Sequence, residues 1–231
     1  GWRAHERFPM TSSFKLLLAG WVLAQVDAGR EGLDRRVVYE SSALVPYSPM
    51  TERHVGEPGT TVGALCEATV TLSDNTAANL LLARHGGPAG LTRYLRQLGD
   101  TVTRLDRIEP ELNEALAGDE RDTTSPAAML RSMQTLVFGG ALSTASRAQL
   151  KAWLIGNQTG DKRLRAGVPG WLVGDKTGSG NHGSSNDVGI FWPPQGRAPV
   201  LVTCYMTQTE APAQVRDAVI ADVARQVAAS I

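Results

Sequence analysis

Two serines and a lysine lie at the start of the apolar stretch FPMTSSFKLLLAGWVLAQVDAG, residues 8–29. Pro9 and the Thr-Ser-Ser run favour a helix start, and the apolar residues that follow predict a central, buried helix. Residues three apart share a helix face, so Lys15 should lie beneath Ser12. Burial disfavours the charged ammonium, and a neutral amine can accept a hydroxyl proton. The spacing therefore predicts a nucleophile at Ser12 rather than at Ser13.

Taken alone, the Ser12–Lys15 spacing is a weak signal, because capping serines with a snorkelling lysine explain it about as well. Two further motifs follow in the chain: Ser-Asp-Asn at 73–75 before a helical run, and Lys-Thr-Gly at 176–178 at a strand end. In this order the three motifs are the signature of class A β-lactamases and penicillin-binding proteins. With EPELN, DERDTT and DKTGSG, the sequence resembles a class A serine β-lactamase over essentially its whole length.

This resemblance implies a role for each motif residue. Ser12 would attack the lactam carbonyl, and Lys15 would hold the hydrogen-bond network. Ser73 would pass a proton to the departing lactam nitrogen, with the positive charge of Lys176 beside it. The backbone N–H groups of Ser12 and Ser179 would form the oxyanion hole. The residues expected to bind substrate are Tyr47, Asn75, Asn113, Arg163, Thr177, Ser179 and Gly180.

The acids of EPELN separate a hydrolase from a transpeptidase, since an acyl-enzyme is hydrolysed only where a water is held and deprotonated. By resemblance Glu109, rather than Glu111, faces the acyl-enzyme, and Asn113 shares its water. The motif on its own would be read as a short acidic turn. Whether Lys15 or Glu109 accepts the proton of Ser12 stays open at this point.

One departure from the family concerns the substrate carboxylate. Many relatives carry an arginine on the strand after Lys-Thr-Gly, where this sequence has Ser184 and Ser185. A subset supplies the guanidinium from a segment before that motif, and Arg163 in GDKRLRAGVPGW is the counterpart here. A fixed bidentate donor suits a carboxylate. The alternative is an ordinary solvated basic turn.

The predicted fold is α+β, of the β-lactamase/transpeptidase type. Residues 11–154 form an all-helical subdomain that includes an Ω-type loop at 104–122, and residues 1–10 with 155–231 form the α/β subdomain. Three strands, GWLVGDKTG, NDVGIFWPP and APVLVTCYMTQ, precede a final amphipathic helix. The family normally begins with a helix and two strands that this sequence lacks. The sheet is therefore expected to lack its first strands and to expose apolar surface.

Composition and spacing argue against several other classes of function. Zero net charge and a pI near 7.1 argue against nucleic acid or an anionic membrane as partner. Four scattered histidines give no metal-ligand spacing, so no metal is expected. GSGNHG, residues 178–183, mimics a dinucleotide fingerprint, but a strand follows it and no cofactor is expected. Cys66 and Cys204 are expected to be unpaired buried thiols, because Ala19 stands where some relatives place the partner of Cys66.

The leading hypothesis is thus hydrolysis of penicillins and cephalosporins through an acyl-enzyme, giving a bacterium antibiotic resistance. The expected partners are small-molecule β-lactam substrates and inhibitors, with the chain a monomer in the periplasm or secreted. A penicillin-binding D-Ala-D-Ala peptidase would share Ser12, Lys15, Ser73 and Lys176, and EPELN argues against it. A non-catalytic binding module is the third hypothesis, motivated by the missing first strands.

Overall fold

The computed structural model of the protein describes residues 1–231. One helix, α1 (Phe14–Asp27), runs through the centre of a helical body, and its residues from Phe14 to Leu23 are all buried. A helix that is apolar on every side is stable only when other elements surround it. The surrounding helices are α2 (Val62–Thr71), α3 (Asn75–Arg84), α4 (Gly87–Gln97), α5 (Pro126–Val137) and α6 (Thr144–Ile155).

The Ser-Asp-Asn motif lies between α2 and α3, immediately before a helix as the sequence predicts. The Asp74 carboxylate accepts the backbone N–H of Ala77 at 2.8 Å and so caps the start of α3. Ser73, just before it, has a left-handed φ of 60°. The motif therefore forms a sharp connection between α2 and α3 rather than part of one long helix.

The start of α1 differs from the sequence-based expectation. Pro9 lies in a short strand, β1 (Phe8–Pro9), and a 3-10 turn at Thr11–Ser13 separates it from α1. The partner of β1 lies far along the chain, after β2 (Arg36–Val37) and β3 (Thr60–Thr61), which pair with each other. That partner is β4 (Thr123–Thr124). Long-range pairing has here overridden a local signal for a helix start.

The three strands expected in the last third of the chain are confirmed as one antiparallel sheet. It consists of β5 (Leu172–Ser179), β6 (Ser185–Trp192) and β7 (Val200–Met206), in the order β5-β6-β7. A short helix, α7 (Leu164–Gly167), precedes the sheet, and the long helix α8 (Ala213–Ala229) follows it. Two helices of the body, α6 and α5, pack against β5 and β7.

The sheet separates two apolar cores because side chains alternate between the faces of a strand. Val188 and Ile190 of β6 belong to the large core around α1. Phe191 belongs to a smaller core that includes Val173 of β5 and Ile220 of α8. The sheet is thereby held between the helical body and α8, with the end of β5 close to the start of α1.

Some apolar surface stays exposed beside this sheet. β7 pairs with β6 on one side only, and Val215 and Val219 of α8 are 49% and 42% exposed. None of the helices combines the length and the apolar run that crossing a membrane requires.

Candidate active site

Ser12 lies in the turn between β1 and α1, where its hydroxyl meets a lysine and a glutamate. Thr11 has a left-handed φ of 44°, and the following turn leads directly into the helix. Lys15 Nζ donates to Ser12 Oγ at 3.1 Å, and Ser12 Oγ donates to Glu109 Oε1 at 3.3 Å. The Ser12 hydroxyl is therefore in contact with both groups that could accept its proton.

The Lys15 ammonium is completely buried and surrounded by oxygen acceptors. Nζ donates to Ser73 O at 2.8 Å and to Asn75 Oδ1 at 2.6 Å, and it lies 3.0 Å from Glu109 Oε1. Burial lowers the pKa of Lys15, and the carboxylates of Glu109 and Asp74 oppose this shift. The lowered pKa expected from the sequence has its cause in the position of Lys15 at the first turn of a buried helix.

Glu109 reaches the same point from the loop 104–122, and its side chain is fully buried. Besides its contacts with Ser12 and Lys15, it accepts a hydrogen bond from Asn113 Nδ2 at 2.5 Å through Oε2. Glu111 is exposed and lines a separate cavity of about 510 Å³ on the outside of the loop. Of the two acids in EPELN, Glu109 is the one in contact with Ser12.

The loop that carries Glu109 is closed at its base by one carboxylate. Asp122 Oδ2 accepts a hydrogen bond from Arg107 Nε at 2.6 Å. Its Oδ1 accepts hydrogen bonds from the backbone N–H groups of Asp106 and Arg107 at 2.7 and 2.9 Å. Arg107 Nη1 also donates to Glu114 Oε2 at 2.6 Å. The Arg107–Asp122 ion pair therefore fixes both ends of the loop to each other.

Ser73 lies between two buried lysines. Its Oγ accepts from Lys15 Nζ at 3.3 Å and from Lys176 Nζ at 3.1 Å. Lys176 on β5 also donates to Thr177 O at 2.8 Å. Burial, with the charge of Lys15 as the second cause, lowers the pKa of Lys176 to about 7. Because Ser73 Oγ accepts from both lysines, its own proton is free to be donated.

The neighbours of Ser73 do different work. Asp74 is fully buried and turned to the backbone, where it caps α3 at Ala77. Asn75 faces the site: its Oδ1 accepts from the lysine on α1, and its Nδ2 donates to Pro46 O at 2.8 Å. The backbone N–H of Asn75 donates to Tyr47 O at 3.0 Å. The Tyr47 side chain lines the same cavity and is largely exposed.

Arg163 comes to the site from the segment before β5. Its Nη2 donates to Ser179 Oγ and its Nη1 to Gly178 O, both at 2.8 Å. Its Nε donates to Asp217 Oδ1 on α8 at 2.7 Å. The side chain is only 11% exposed, so it is a fixed guanidinium rather than a solvated basic turn. Nη1 also donates to Asn186 O at 2.8 Å, so one N–H of Nη2 and the positive charge remain for a substrate carboxylate.

These side chains surround one cavity of about 360 Å³. Lys15, Glu109 and Lys176 lie behind its wall and contact the lining serines. Gly180 does not line this cavity. A Cβ there would come 2.7 Å from Thr11 Cγ2, so glycine allows the β5–β6 connection to pack on the turn Thr11–Ser13 that carries the nucleophile. The lining residues are Ser12, Tyr47, Ser73, Asn75, Asn113, Thr159, Arg163, Thr177 and Ser179.

The sequence alone did not identify three residues at this site. Asn79 of α3 holds the backbone of Glu109, donating from Nδ2 to its carbonyl at 2.8 Å and accepting its N–H at 2.9 Å. The one signal for it was a polar residue inside an apolar helical stretch. Asp217 holds Arg163, and Thr159 lies against Thr177 at 2.5 Å between the hydroxyl oxygens. Neither stands in a pattern that singles it out.

Comparison with known proteins agrees with this geometry. The model of the β-lactamase enzyme family matches residues 1–231. The solved structure of an ancestral (GNCA) class A β-lactamase superposes with a TM-score of 0.98 at 62% identity, covering 100% of this chain and 88% of that chain. The putative class A β-lactamase PenP from Rhodopseudomonas palustris gives a TM-score of 0.97 at 60% identity, covering 99% and 87%.

A double mutant of GNCA4, a class A β-lactamase of the last common ancestor of Gram-negative bacteria, has been solved with the transition-state analogue 5(6)-nitrobenzotriazole. It superposes with a TM-score of 0.97 at 61% identity, covering 100% of this chain and 87% of that chain. Sequence motifs, cavity geometry and full-length matches agree: this chain belongs to the β-lactamase enzyme family, as a class A serine hydrolase that opens β-lactam rings.

Proposed function

We propose that Ser12 is the residue that opens the β-lactam ring and carries the acyl group. In this step Oγ bonds to the lactam carbonyl carbon as the hydroxyl loses its proton. The observation that carries the proposal is the position of Ser12 Oγ at the cavity wall, 3.1 Å from Lys15 Nζ and 3.3 Å from Glu109 Oε1. The Glu109 carboxylate and a neutral Lys15 amine are both within reach of the proton.

The ring then opens as the lactam C–N bond breaks. We assign the oxyanion hole to the backbone N–H groups of Ser12 and Ser179, since fixed donors stabilise a developing negative charge without reorganisation. Ser73 donates its proton to the departing nitrogen and regains one from Lys15 Nζ, 3.3 Å away, which replaces it with the proton that Ser12 released. This role suits Ser73 because Lys15 and Lys176 both donate to its oxygen, which lowers the cost of negative charge there.

Glu109 frees the enzyme again by activating a water. The carboxylate takes a proton from the water, the water oxygen bonds to the ester carbon, and the Ser12 oxygen leaves and regains a proton. Asn113 Nδ2 holds Glu109 Oε2 at 2.5 Å. Asn113 Oδ1 is buried without a protein donor, so it can accept a hydrogen bond from the same water. The acid and the amide together can orient the nucleophile.

The remaining lining residues recognise the substrate. The carboxylate of a penicillin or cephalosporin is negatively charged, and Arg163, Thr177, Ser179 and the nearby Lys176 charge would bind it. Asn75 would bind the side-chain amide, and Tyr47 would form an aromatic wall at the entrance. This assignment rests on the lining of the cavity and on the buried, fixed guanidinium.

We further propose that the enzyme acts as a monomer in the periplasm or outside the cell and gives its bacterium resistance. Relatives assigned to the last common ancestor of Gram-negative bacteria support the periplasmic setting.

We propose a division into a helical subdomain, residues 11–154, and an α/β subdomain, residues 1–10 with 155–231. The nucleophile belongs to the helical subdomain. Lys176 and the carboxylate-binding residues belong to the α/β subdomain.

Intact-protein mass spectrometry during incubation with benzylpenicillin tests the proposed residues and steps. We expect the protein to return to its free mass while the penicillin is converted to the ring-opened acid. A protein that stays labelled with one equivalent would be a D-Ala-D-Ala peptidase type of acyl-enzyme. A folded protein that never gains mass would contradict the assignment of Ser12 altogether.

The pKa of Lys176 leads to a pH-dependent prediction. Its ammonium is present below the pKa of about 7 and is lost above it, so attraction for a carboxylate should fall as pH rises through that value. Steady-state kinetics should be measured from one pH unit below this pKa to one pH unit above it. KM for benzylpenicillin should rise several-fold over this range, which corresponds to a loss of about 1 kcal/mol in binding free energy. KM for its neutral methyl ester should stay constant. An equal change for both substrates would assign the effect to another group.

A further inference from the structure

Thr159 lies in the cavity wall beside Thr177, outside the motifs that identify the family. It belongs to the turn between α6 and Arg163, and its hydroxyl oxygen lies 2.5 Å from the hydroxyl oxygen of Thr177. Either hydroxyl could be the donor across this contact. The direction of the hydrogen bond matters, because only a Thr177 hydroxyl that turns its proton toward the cavity can donate to a substrate carboxylate.

Asn157, which lies behind Thr159, provides a second acceptor for the Thr159 hydroxyl. Asn157 is buried, and its Oδ1 accepts the backbone N–H of Thr159 at 3.0 Å. Its Nδ2 donates to Asp175 Oδ2 at 2.7 Å, and Asp175 is in turn paired with Arg165 at 2.6 Å. A backbone N–H can only donate, so the atom facing Thr159 must be the amide oxygen. That oxygen also lies 2.8 Å from Thr159 Oγ1.

Thr159 thus has one hydroxyl proton and two neighbouring oxygens. In the first arrangement Thr177 donates to Thr159, and Thr159 donates to Asn157 Oδ1. In the second, Thr159 turns its proton to Thr177, and Thr177 turns its own proton into the cavity. Asn157 Oδ1 keeps the backbone N–H in both arrangements. Only in the second arrangement can Thr177 donate to an anionic ligand in the cavity.

We propose that Thr159 is a positioning residue for the substrate carboxylate, because its hydroxyl reverses this hydrogen bond and frees the Thr177 proton when the carboxylate binds. The inference rests on the proposed function, in which Thr177 is one of the carboxylate donors. Ser179, the neighbouring donor, needs no such partner, since Arg163 Nη2 already donates to its oxygen at 2.8 Å.

Replacing Thr159 by valine removes the hydroxyl and keeps the shape. In the free enzyme water can take its place beside Thr177, because the cavity is open to solvent. In the complex the substrate excludes that water and leaves the Thr177 oxygen against a methyl group, where an unsatisfied polar atom is costly. The loss therefore falls on the bound state and should appear as weaker binding.

The experiment compares the parent, Thr159→Val and Thr159→Ser on benzylpenicillin and on its methyl ester. For the acid we expect Thr159→Val to raise KM about tenfold with kcat within about threefold, as loss of one such hydrogen bond implies. The ester should show no such rise, and serine, which keeps the hydroxyl, should restore the parent KM. The rate of acylation at low penicillin, followed by mass spectrometry, should fall by the same factor as kcat/KM.

The outcomes separate this inference from the proposed function. A parent that turns over penicillin, with equal KM for the parent and Thr159→Val, overturns the inference alone. An equal loss on acid and ester also overturns it, because that result indicates a general structural defect. If the parent is acylated but does not release the acyl group, the acylation rates of the parent and Thr159→Val at low penicillin decide. Equal rates would overturn the inference. A parent that never becomes acylated overturns both proposals.

Discussion

Glu109→Gln is expected to be acylated once and then to remain a covalent acyl-enzyme. Glutamine keeps the size of the side chain, and its single amide oxygen can accept from Lys15 or from Asn113 but not from both. It cannot take a proton from water. Loss of a general base typically costs roughly 10²–10⁴-fold in rate. Intact-protein mass spectrometry should show the penicilloyl adduct persisting long after the parent has returned to its free mass.

Glu111→Gln is the matched control for this trap. It makes the same chemical change two residues away in EPELN, on an exposed side chain that lines the outer cavity instead of contacting Ser12. We expect Glu111→Gln to deacylate at the parent rate. If Glu109→Gln also cleared its adduct at that rate, the base that activates the water would have to be sought elsewhere in the site.

Ser12→Ala is expected to abolish covalent attachment and to lower kcat by about 10⁴-fold or more, as removal of a serine nucleophile does elsewhere. No other hydroxyl lies between Lys15 and Glu109. Ser12 is partly exposed, so its replacement should leave folding unaffected. Incubation with a fluorescent penicillin, followed by denaturing electrophoresis, should show a labelled band for the parent and none for the variant.

Ser13→Ala tests whether the neighbouring serine could be the nucleophile instead. Ser13 Oγ is buried, donates to Met10 O at 2.8 Å and lies 3.1 Å from the Tyr205 hydroxyl. Its loss should lower the free energy of unfolding by about 1–3 kcal/mol. Labelling should persist in the folded fraction. A Ser13→Ala protein that folds but takes no label would move the nucleophile to position 13.

Local spacing predicted the parts of the site that depend on local geometry. The three-residue interval predicted the contact between Ser12, in the 3-10 turn before α1, and Lys15 in the first turn of α1. Apolar residues around that turn imply burial of the lysine. Strand-like runs separated by turn residues predicted β5, β6 and β7. Family resemblance supplied the remaining candidates, most of which line the cavity.

Contacts between distant segments could not be predicted in this way. Pro9 carries a local helix-start signal, yet it lies in a strand because Thr123 and Thr124 pair with that segment. Asn79 has no sequence feature that links it to Glu109, 30 residues later. Thr159 and Thr177 meet because their segments lie side by side in the fold. Each of these relations depends on packing, which no short window of sequence contains.

Gly178 of β5 lies where the sheet meets the turn that carries Ser12, and a Cβ there would come 2.9 Å from the backbone oxygen of Met10 and 3.2 Å from the backbone nitrogen of Ser13. The two surfaces touch backbone to backbone, with Ser12 on one and Lys176 on the other. Neither surface alone holds a complete set of reacting groups. During refolding, the ability to take a penicillin label should therefore appear only once helices and sheet have joined, later than helix formation itself. The rate at which penicillin labelling appears would thus report the rate at which the helices and the sheet join.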